Sequence, residues 1–309
     1  MEEKTIKNRT LLDYFWISVR GFFMGAADVV PGVSGGTMAF ILGIYDELLD
    51  AIHAVDMNFF RRILTFKWRD IFHEFPWRFL LALVLGIGTA VLTLANALHW
   101  ALENSPVFVW AFFFGLIIAS IIVVRKRVSK WTIFNIAAAI AATVAAFILV
   151  GLTPSETPHT PLLLFLSGAV AICAMILPGI SGAFILVLLG KYRFVLEAVK
   201  NLDILTIALV GLGAVVGLLG FVRLLRWMLN KNHDLVVAIL TGFMIGSIRK
   251  IWPWKILEPI SETFVRETNF IPSAFTLEVL LAVFCMTAGF VLVLVIEHFA
   301  GQRVAAHHS

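Results

Sequence analysis

From Phe79 to Leu102 the chain reads FLLALVLGIGTAVLTLANALHWAL, without one charged side chain. A run of about 18 or more apolar residues is long enough to cross the hydrocarbon core of a bilayer as a helix. In that core only helices and closed barrels satisfy every backbone group. Further apolar runs follow at Val107–Val124, Trp131–Leu152, Ile204–Val222, Leu235–Ile248 and Phe275–Ile296. Composition agrees: 60% of the 309 residues are hydrophobic and 14% are charged, against about 25% charged in soluble domains. The fold class expected is an all-α integral membrane protein. The first ten residues, MEEKTIKNRT, are polar, and no cleavable signal pattern follows them. Cys173 and Cys285 lie in apolar runs and read as small buried hydrophobes rather than a disulfide framework. The net charge of +4 is informative loop by loop and does not read as a nucleic-acid signal. The histidines show no metal-ligand spacing, so neither metal nor cofactor is expected.

The chain repeats itself. VVPGVSGGTMAFILGIYDELLDAI, at Val29–Ile52, returns as ILPGISGAFILVLLGKYRFVLEAV at Ile176–Val199. Pro31 and Pro178 are 147 positions apart (178 − 31 = 147). At that offset Gly21 meets Gly168, Gly32 meets Gly179, Ser34 meets Ser181, Gly35 meets Gly182, Gly43 meets Gly190 and Tyr45 meets Tyr192. A second register, 213 − 86 = 127, pairs Gly86 with Gly213, Trp100 with Trp227, Gly115 with Gly242 and Ser120 with Ser247. The difference, 147 − 127 = 20, is an insertion in the first copy within Met57–Arg78. That stretch is amphipathic, basic and aromatic, and is expected along the membrane surface. Repeat one then covers 1–152, with a hairpin at 11–56, the insertion at 57–78 and three spans. Repeat two covers 153–309, with a hairpin at 162–200 and three spans. Matching broken apolar segments in two halves are the sequence pointer to a transporter's binding site.

The apolar run before Pro31, Phe22–Val30, is short, and so is Thr37–Ile44 after it. A re-entrant hairpin of two half-helices fits these lengths better than two full spans. Proline removes a backbone donor and disfavours helix in the residue before it. Irregular backbone at membrane depth is tolerated only where protein buries it or a wet cavity adjoins it. The second half-helix would start near Ser34, with unpartnered N–H groups and the positive end of the dipole. Glycines there allow close approach, which suits a phosphate or a carboxylate. Ser34, Thr37 and Ser181 add hydroxyls. The bland reading is a kink that lets helices pack on small residues.

A hairpin that does not cross leaves three crossings per unit, and an odd number inverts the second copy. Loop charges bear on this. Arg61, Arg62, Lys67, Arg69 and Arg78 in the insertion and Arg125, Lys126, Arg127 and Lys130 after the second span mark the cytoplasmic side. The loops Glu103–Pro106 and Thr153–Pro161 hold no Lys or Arg and mark the outside. The N-terminus, Lys231 and Arg303 then lie inside. Lys191, Arg193, Arg249, Lys250 and Lys255 lie outside, which fits the rule poorly.

Asp28 stands three residues before the turn proline, and an acid at membrane depth is a functional candidate by default. Its partner in the second copy is Met175. Asp28 is expected to switch between charged and neutral forms; the bland reading is a cap on the turn. Arg20, Arg223 and Arg226 could pair with a phosphate or an acid, although such arginines more often snorkel to the interface.

GAADVVPGVSGGTMAFILGIYDELLDAI and LPGISGAFILVLLGKY resemble the bacterial polyprenyl-phosphate transporter family, once catalogued as a domain of unknown function. The likeness covers about residues 11–298. It implies translocation of undecaprenyl phosphate, the carrier lipid of cell-wall precursors, across the cytoplasmic membrane. It also implies substrate contacts at Asp28, Pro31, Gly32, Ser34, Gly35, Gly36 and Thr37, with Pro178, Gly179, Ser181 and Gly182 in the second copy. Ala183 and Phe184 replace the Gly36 and Thr37 of the first. Expected partners are the polyprenyl phosphate, membrane lipids and a second copy in a homodimer; nucleic acid is not among them. A small-anion channel is the main rival. An intramembrane serine hydrolase is a weaker one, because GVSG and GISG occur without a deep histidine base.

Overall fold

The computed structural model describes residues 9–30, 33–66, 75–155, 157–259 and 265–306. Helix α1 spans Leu11–Val29 and opens on a capping box, in which Thr10 accepts from the Asp13 N–H and Asp13 accepts from the Thr10 N–H. Two short helices follow, α2 at Gly35–Ile41 and α3 at Tyr45–His53. Helix α4, Met57–Leu64, carries Arg61 and Arg62 in its last turn. Residues 67–74 of the insertion lie outside the described residues. Three long apolar helices come next: α5 at Trp77–Asn104, α6 at Pro106–Arg125 and α7 at Ile133–Val150.

The second half runs α8 Pro161–Ile176, α9 Gly182–Leu188, α10 Tyr192–Lys200, α11 Ile204–Lys231 and α12 His233–Ser247. A 3₁₀ turn at Ile248–Ile251 leads to an antiparallel hairpin, β1 Lys255–Pro259 with β2 Val265–Asn269, and the chain closes with α13, Leu277–Ala306. Three pairs of helices after the first limbs match in length: α2 and α9 have 7 residues, α3 and α10 have 9, and α5 and α11 have 28. Among the described residues five helices are long and apolar enough to cross a membrane, namely α5, α6, α7, α11 and the Leu277–His298 part of α13. The protein is a mostly helical, multi-pass membrane protein. The apolar run at Leu235–Ile248 yields a helix of only 15 residues, about 22 Å long, because Asn232 ends α11 before it and the 3₁₀ turn tightens after it.

The first limb also differs from its apolar length. The cap at Thr10 starts α1 eleven residues before Phe22, so α1 has 19 residues and is about 28 Å long. Only the second limb, α2, is short.

Helix α1 packs along α5 and α8 along α11, while α6 pairs with α13 and α7 with α12. Small residues set these crossings. A Cβ on Gly21 or Gly86 would fall on the backbone carbonyl of Leu83 or Ser18, and one on Gly168 or Gly213 on that of Val210 or Phe165. The last helix of each half packs against the last but one of the other: Gly115 on α6 faces the Met286 carbonyl on α13, and Gly242 on α12 faces that of Ala139 on α7. Gly43 and Gly190, both with φ near +70°, end α2 and α9. In each case the next N–H reaches back to close the turn, Ile44 to Ala39 and Lys191 to Leu186, a geometry that glycine adopts without strain.

The contacts of the polar ends fall into two sets, separated by the length of α7. Around its start, the Ser129 and Lys130 N–H groups donate to Asp234, and Lys126 meets Glu297 on α13. Around its end, Arg249 lies over the Phe147 ring, and Lys191 donates to the carbonyls of Thr157 and Pro158. Four of the cations that sat awkwardly with the charge rule, Lys191, Arg249, Lys250 and Lys255, are held by protein groups. Lys191 is fully buried, with His159 Nδ1 at 3.0 Å as a third partner. Lys250 and Lys255 share Glu267, at 2.9 and 3.0 Å, and Lys255 also lies 4.0 Å from the Trp110 ring centre. Burial pushes the Lys255 ammonium down to about 8. Burial pushes the Glu267 carboxyl up, but the charges of Lys255 and Lys250 outweigh it and hold the group below its ordinary range.

Candidate functional site

The two Pro-Gly turns meet. Ser34 caps α2: its Oγ accepts from the Gly36 N–H at 3.2 Å and donates toward the carbonyls of Met175 and Leu177, each at 3.3 Å. Thr37 Oγ1 accepts from the Gly179 N–H at 2.9 Å. The Tyr45 hydroxyl donates to the Ile176 carbonyl at 3.2 Å. A helix leaves its last carbonyls without intrahelical donors. Those of α8, at Met175 and Ile176, and that of the next residue, Leu177, receive hydroxyls from the first hairpin. Ser34 and Thr37 are wholly buried. Gly36 is required by this approach, since a Cβ there would stand 2.7 Å from the Ile176 oxygen and 3.0 Å from that of Met175. Gly179, at φ +95°, turns the second tip, and a Cβ on it would stand 2.8 Å from Ser247 Oγ.

Asp28 stands in the last turn of α1, and its Oδ1 accepts from the Gly35 N–H at 2.7 Å. A Cβ on Gly35 would land on that carboxylate. The leading donors of α2 are therefore already engaged: Gly35 by Asp28, Gly36 by Ser34 Oγ, and Thr37 by the Ser34 carbonyl. An external anion reaching Gly35 would have to displace Asp28. The second tip is different. Ser181 makes no side-chain cap on α9, Met175 stands where the first copy has Asp28, and Ala183 is exposed. Gly182 is tightly packed, with its Cβ position 2.7 Å from the Ala171 carbonyl oxygen.

Asp28, Ser34, Gly35, Gly36, Thr37, Gly179, Ser181 and Gly182 thus share one region, with Pro178 buried beside them. Pro31 and Gly32 lie outside the described residues. Arg20 is on α1, eight residues and about 12 Å along the axis from Asp28. Arg223 does not join the tips: it donates to the Leu219 carbonyl at 2.9 Å and the Val55 carbonyl at 2.7 Å. Arg226 pairs with Asp50 on α3. Together these two arginines tie α11 to the end of the first hairpin. Sequence reading passed over the structural parts played by Tyr45 and Arg127. Arg127 donates to the Phe40 carbonyl at 3.0 Å and lies 4.6 Å from that ring centre, closing the end of α2. The match of Tyr45 with Tyr192 was the signal available for the first; Arg127 has Trp254 at its repeat position and gave none. Among the described residues no group of three or more His, Cys, Asp or Glu could hold a metal ion.

The comparisons with known proteins agree with each other. A protein named polyprenyl-phosphate transporter from Vibrio cholerae serotype O1 is 43% identical over 246 residues, covering 79% of each chain. A protein of the same name from Staphylococcus aureus is 30% identical over 257 residues, covering 77% of this chain and 86% of that one. No solved structure matches the chain significantly. Residues 24–267, which contain both tips and the helices that hold them, match the VCA0040-like, undecaprenyl phosphate translocase-like family, and the chain belongs to that family.

Proposed function

We propose that the chain moves undecaprenyl phosphate, or a related polyprenyl phosphate, between the leaflets of a bacterial cytoplasmic membrane, for reuse in envelope synthesis. The observation that carries this is the 43% identity, over four-fifths of both chains, to a protein bearing that transport name. The protein acts as a carrier and not as an enzyme.

The phosphate is received at the paired tips. At Gly35 it meets Asp28, and two unit charges about 4 Å apart repel by roughly 4 kcal/mol at an effective dielectric of about 20. Protonation of Asp28, or its withdrawal from Gly35, removes that repulsion and frees the N–H. Proton and phosphate then favour each other's binding. The second tip offers the same turn without a carboxylate. The halves are inverted repeats with re-entrant hairpins, the N-terminus lies in the cytoplasm, and the tips meet between the two faces. Support comes from the two contact sets: Arg127, which closes α2, lies in the loop whose Lys130 N–H meets Asp234 at the start of α12, whereas Lys191, between α9 and α10, belongs to the set with Thr157 and Pro158.

The test is reconstitution into vesicles with labelled undecaprenyl phosphate in one leaflet. Protein-dependent redistribution is the expected result. Vesicles that take up soluble phosphate while the lipid stays in place would overturn the reading in favour of an anion channel. Cysteines at Ser129 and Ser155 should label from opposite sides of the membrane, and one at Asn269 should share the side of Ser155. Labelling of Ser129 and Asn269 from one side would remove the inversion.

A further inference from the structure

A cavity of about 400 Å³ lies between α1, α5, α6 and α13 and reaches α2 through Met38. That volume is within the roughly 300–1,000 Å³ of ligand sites. Its wall is apolar and rich in phenylalanine: Phe22 and Phe23 on α1, and Phe108, Phe112 and Phe113 on α6. Phe112 and Phe113 meet edge to face, with ring centres 5.4 Å apart. Ala27 and Met38, at its deep end, adjoin the first tip: Ala27 precedes Asp28, and Met38 is one turn beyond Gly35. All of the cavity's lining residues but one, Leu292, come from the first half. At the repeat offsets Phe22 and Phe23 become Ala169 and Val170, while Phe108, Phe112 and Phe113 become Leu235, Ile239 and Leu240. All five aromatic positions of the first half are aliphatic in the second.

We propose that this cavity is the site of the isoprenoid chain, and that it holds the units next to the phosphate when the headgroup stands at the first tip. The proposal rests on the transport reading above and names the part of the protein that recognises the lipid as a prenyl rather than an acyl lipid. The cavity is far too small for a chain of fifty-five carbons, so the remainder extends into the bilayer. Lipid tails are already as apolar as the cavity wall, so the hydrophobic effect does not drive entry. What the cavity supplies is shape. Rigid aromatic faces fit a branched, unsaturated chain, and the benefit appears as preference between lipids that carry the same headgroup. The cavity's lining residues Ala27 and Met38 lie one and three positions from Asp28 and Gly35, so the units it would hold are those nearest the headgroup.

The experiment is competition, in nanodiscs carrying the full chain, between undecaprenyl phosphate and phosphatidic acid. Both are phosphate monoesters, and they differ in the chain. The wild-type protein should prefer the prenyl lipid by about tenfold. Phe112→Ala and the cavity-filling Ala26→Trp should each bring the preference to within about twofold of unity, while the aliphatic swap at a matching position of the second half, Ile239→Ala, leaves it unchanged. A prenyl phosphate bearing a diazirine near its phosphate should label Phe22–Ala27 or Phe108–Leu116 in the wild-type protein, which does not depend on any variant folding. Wild-type protein that binds both lipids equally, or labels only outside those segments, overturns the proposal and leaves the transport reading in place. Wild-type protein that binds neither lipid overturns the transport reading itself.

Discussion

The first and second tips share the Pro-Gly-x-Ser-Gly pattern and differ in their charge, a carboxylate at the first and none at the second. In the first, all seven residues of α2 are buried, a carboxylate holds the leading N–H, and a serine caps the next. In the second, only Gly182, Phe184 and Ile185 of α9 are buried, and no side chain caps the helix. The first tip also does work for the second, since Ser34, Thr37 and Tyr45 all bond to backbone between Met175 and Gly179. Among the described residues the second returns no comparable bond. Duplication preserved the backbone device, and divergence made one copy the charged, aromatic partner and the other the receiver of its hydroxyls.

The comparison breaks most completely at Gly35. Gly35→Val puts a side chain where the Asp28 carboxylate lies, and lipid transport should fall by about a hundredfold or more, near the upper end for losing a charge-assisted hydrogen bond of roughly 3 kcal/mol. Transport above half the wild-type rate in correctly inserted protein would remove the first tip from the mechanism. Asp28→Asn comes next. Wild-type affinity for the prenyl phosphate should decline with rising pH beyond the phosphate's own titration, and the Asn variant should lose that extra dependence while still binding. Identical pH profiles would leave Asp28 as a cap only.

Thr37→Val leaves the buried Gly179 N–H without its acceptor, at a cost of about 1–3 kcal/mol in thermal unfolding. Its repeat counterpart is already Phe184. Ser34→Ala should cost about 1 kcal/mol, as removal of an N-cap does, and Ser181→Ala under about 0.5 kcal/mol because Ser181 caps nothing. Equal losses at the two serines would erase the asymmetry. The smallest effect is expected at the hairpin of β1 and β2. Lys255 has a folded value of about 8 against 10.5, so between those values the opened hairpin binds more protons than the closed one. Closure is therefore favoured as pH rises through that window. Hydrogen exchange at β1 and β2, corrected for intrinsic rates, should slow between pH 7.5 and 9.5, and the change should vanish in Lys255→Met.

Much of this was legible in the sequence. The long apolar runs gave the five helices able to cross, and the offset of 147 paired Gly43 with Gly190, which end equivalent helices. The position of Asp28 beside the turn was readable, and so was its bland interpretation as a cap. Its bond to Gly35 was not, because it depends on how far α1 returns toward α2. The meeting of the two tips was hidden too, since Ser34–Met175 and Thr37–Gly179 join residues more than 140 positions apart. Periodicity reports what lies within a few turns along the chain, and nothing in PGVSGG says that its hydroxyls face another PGISGA. Arg223 illustrates the converse: an arginine in an apolar run suggested an anion, and the backbone at Val55 claims it instead.

The exchange of last helices between the halves has a consequence for biosynthesis. Gly115 on α6 finds its partner at Met286 on α13, so the first half emerges from the ribosome with one groove uncovered until the last helix is made. Contacts between such distant residues are slow to form. Inserted but unfinished, α6 must wait in lipid while α7 awaits α12 in the same way. A chain cut between Gly151 and Pro161 should therefore yield two fragments that are each unstable alone and assemble when expressed together, whereas a chain ending before Leu277 should be removed by quality control although both tips are intact.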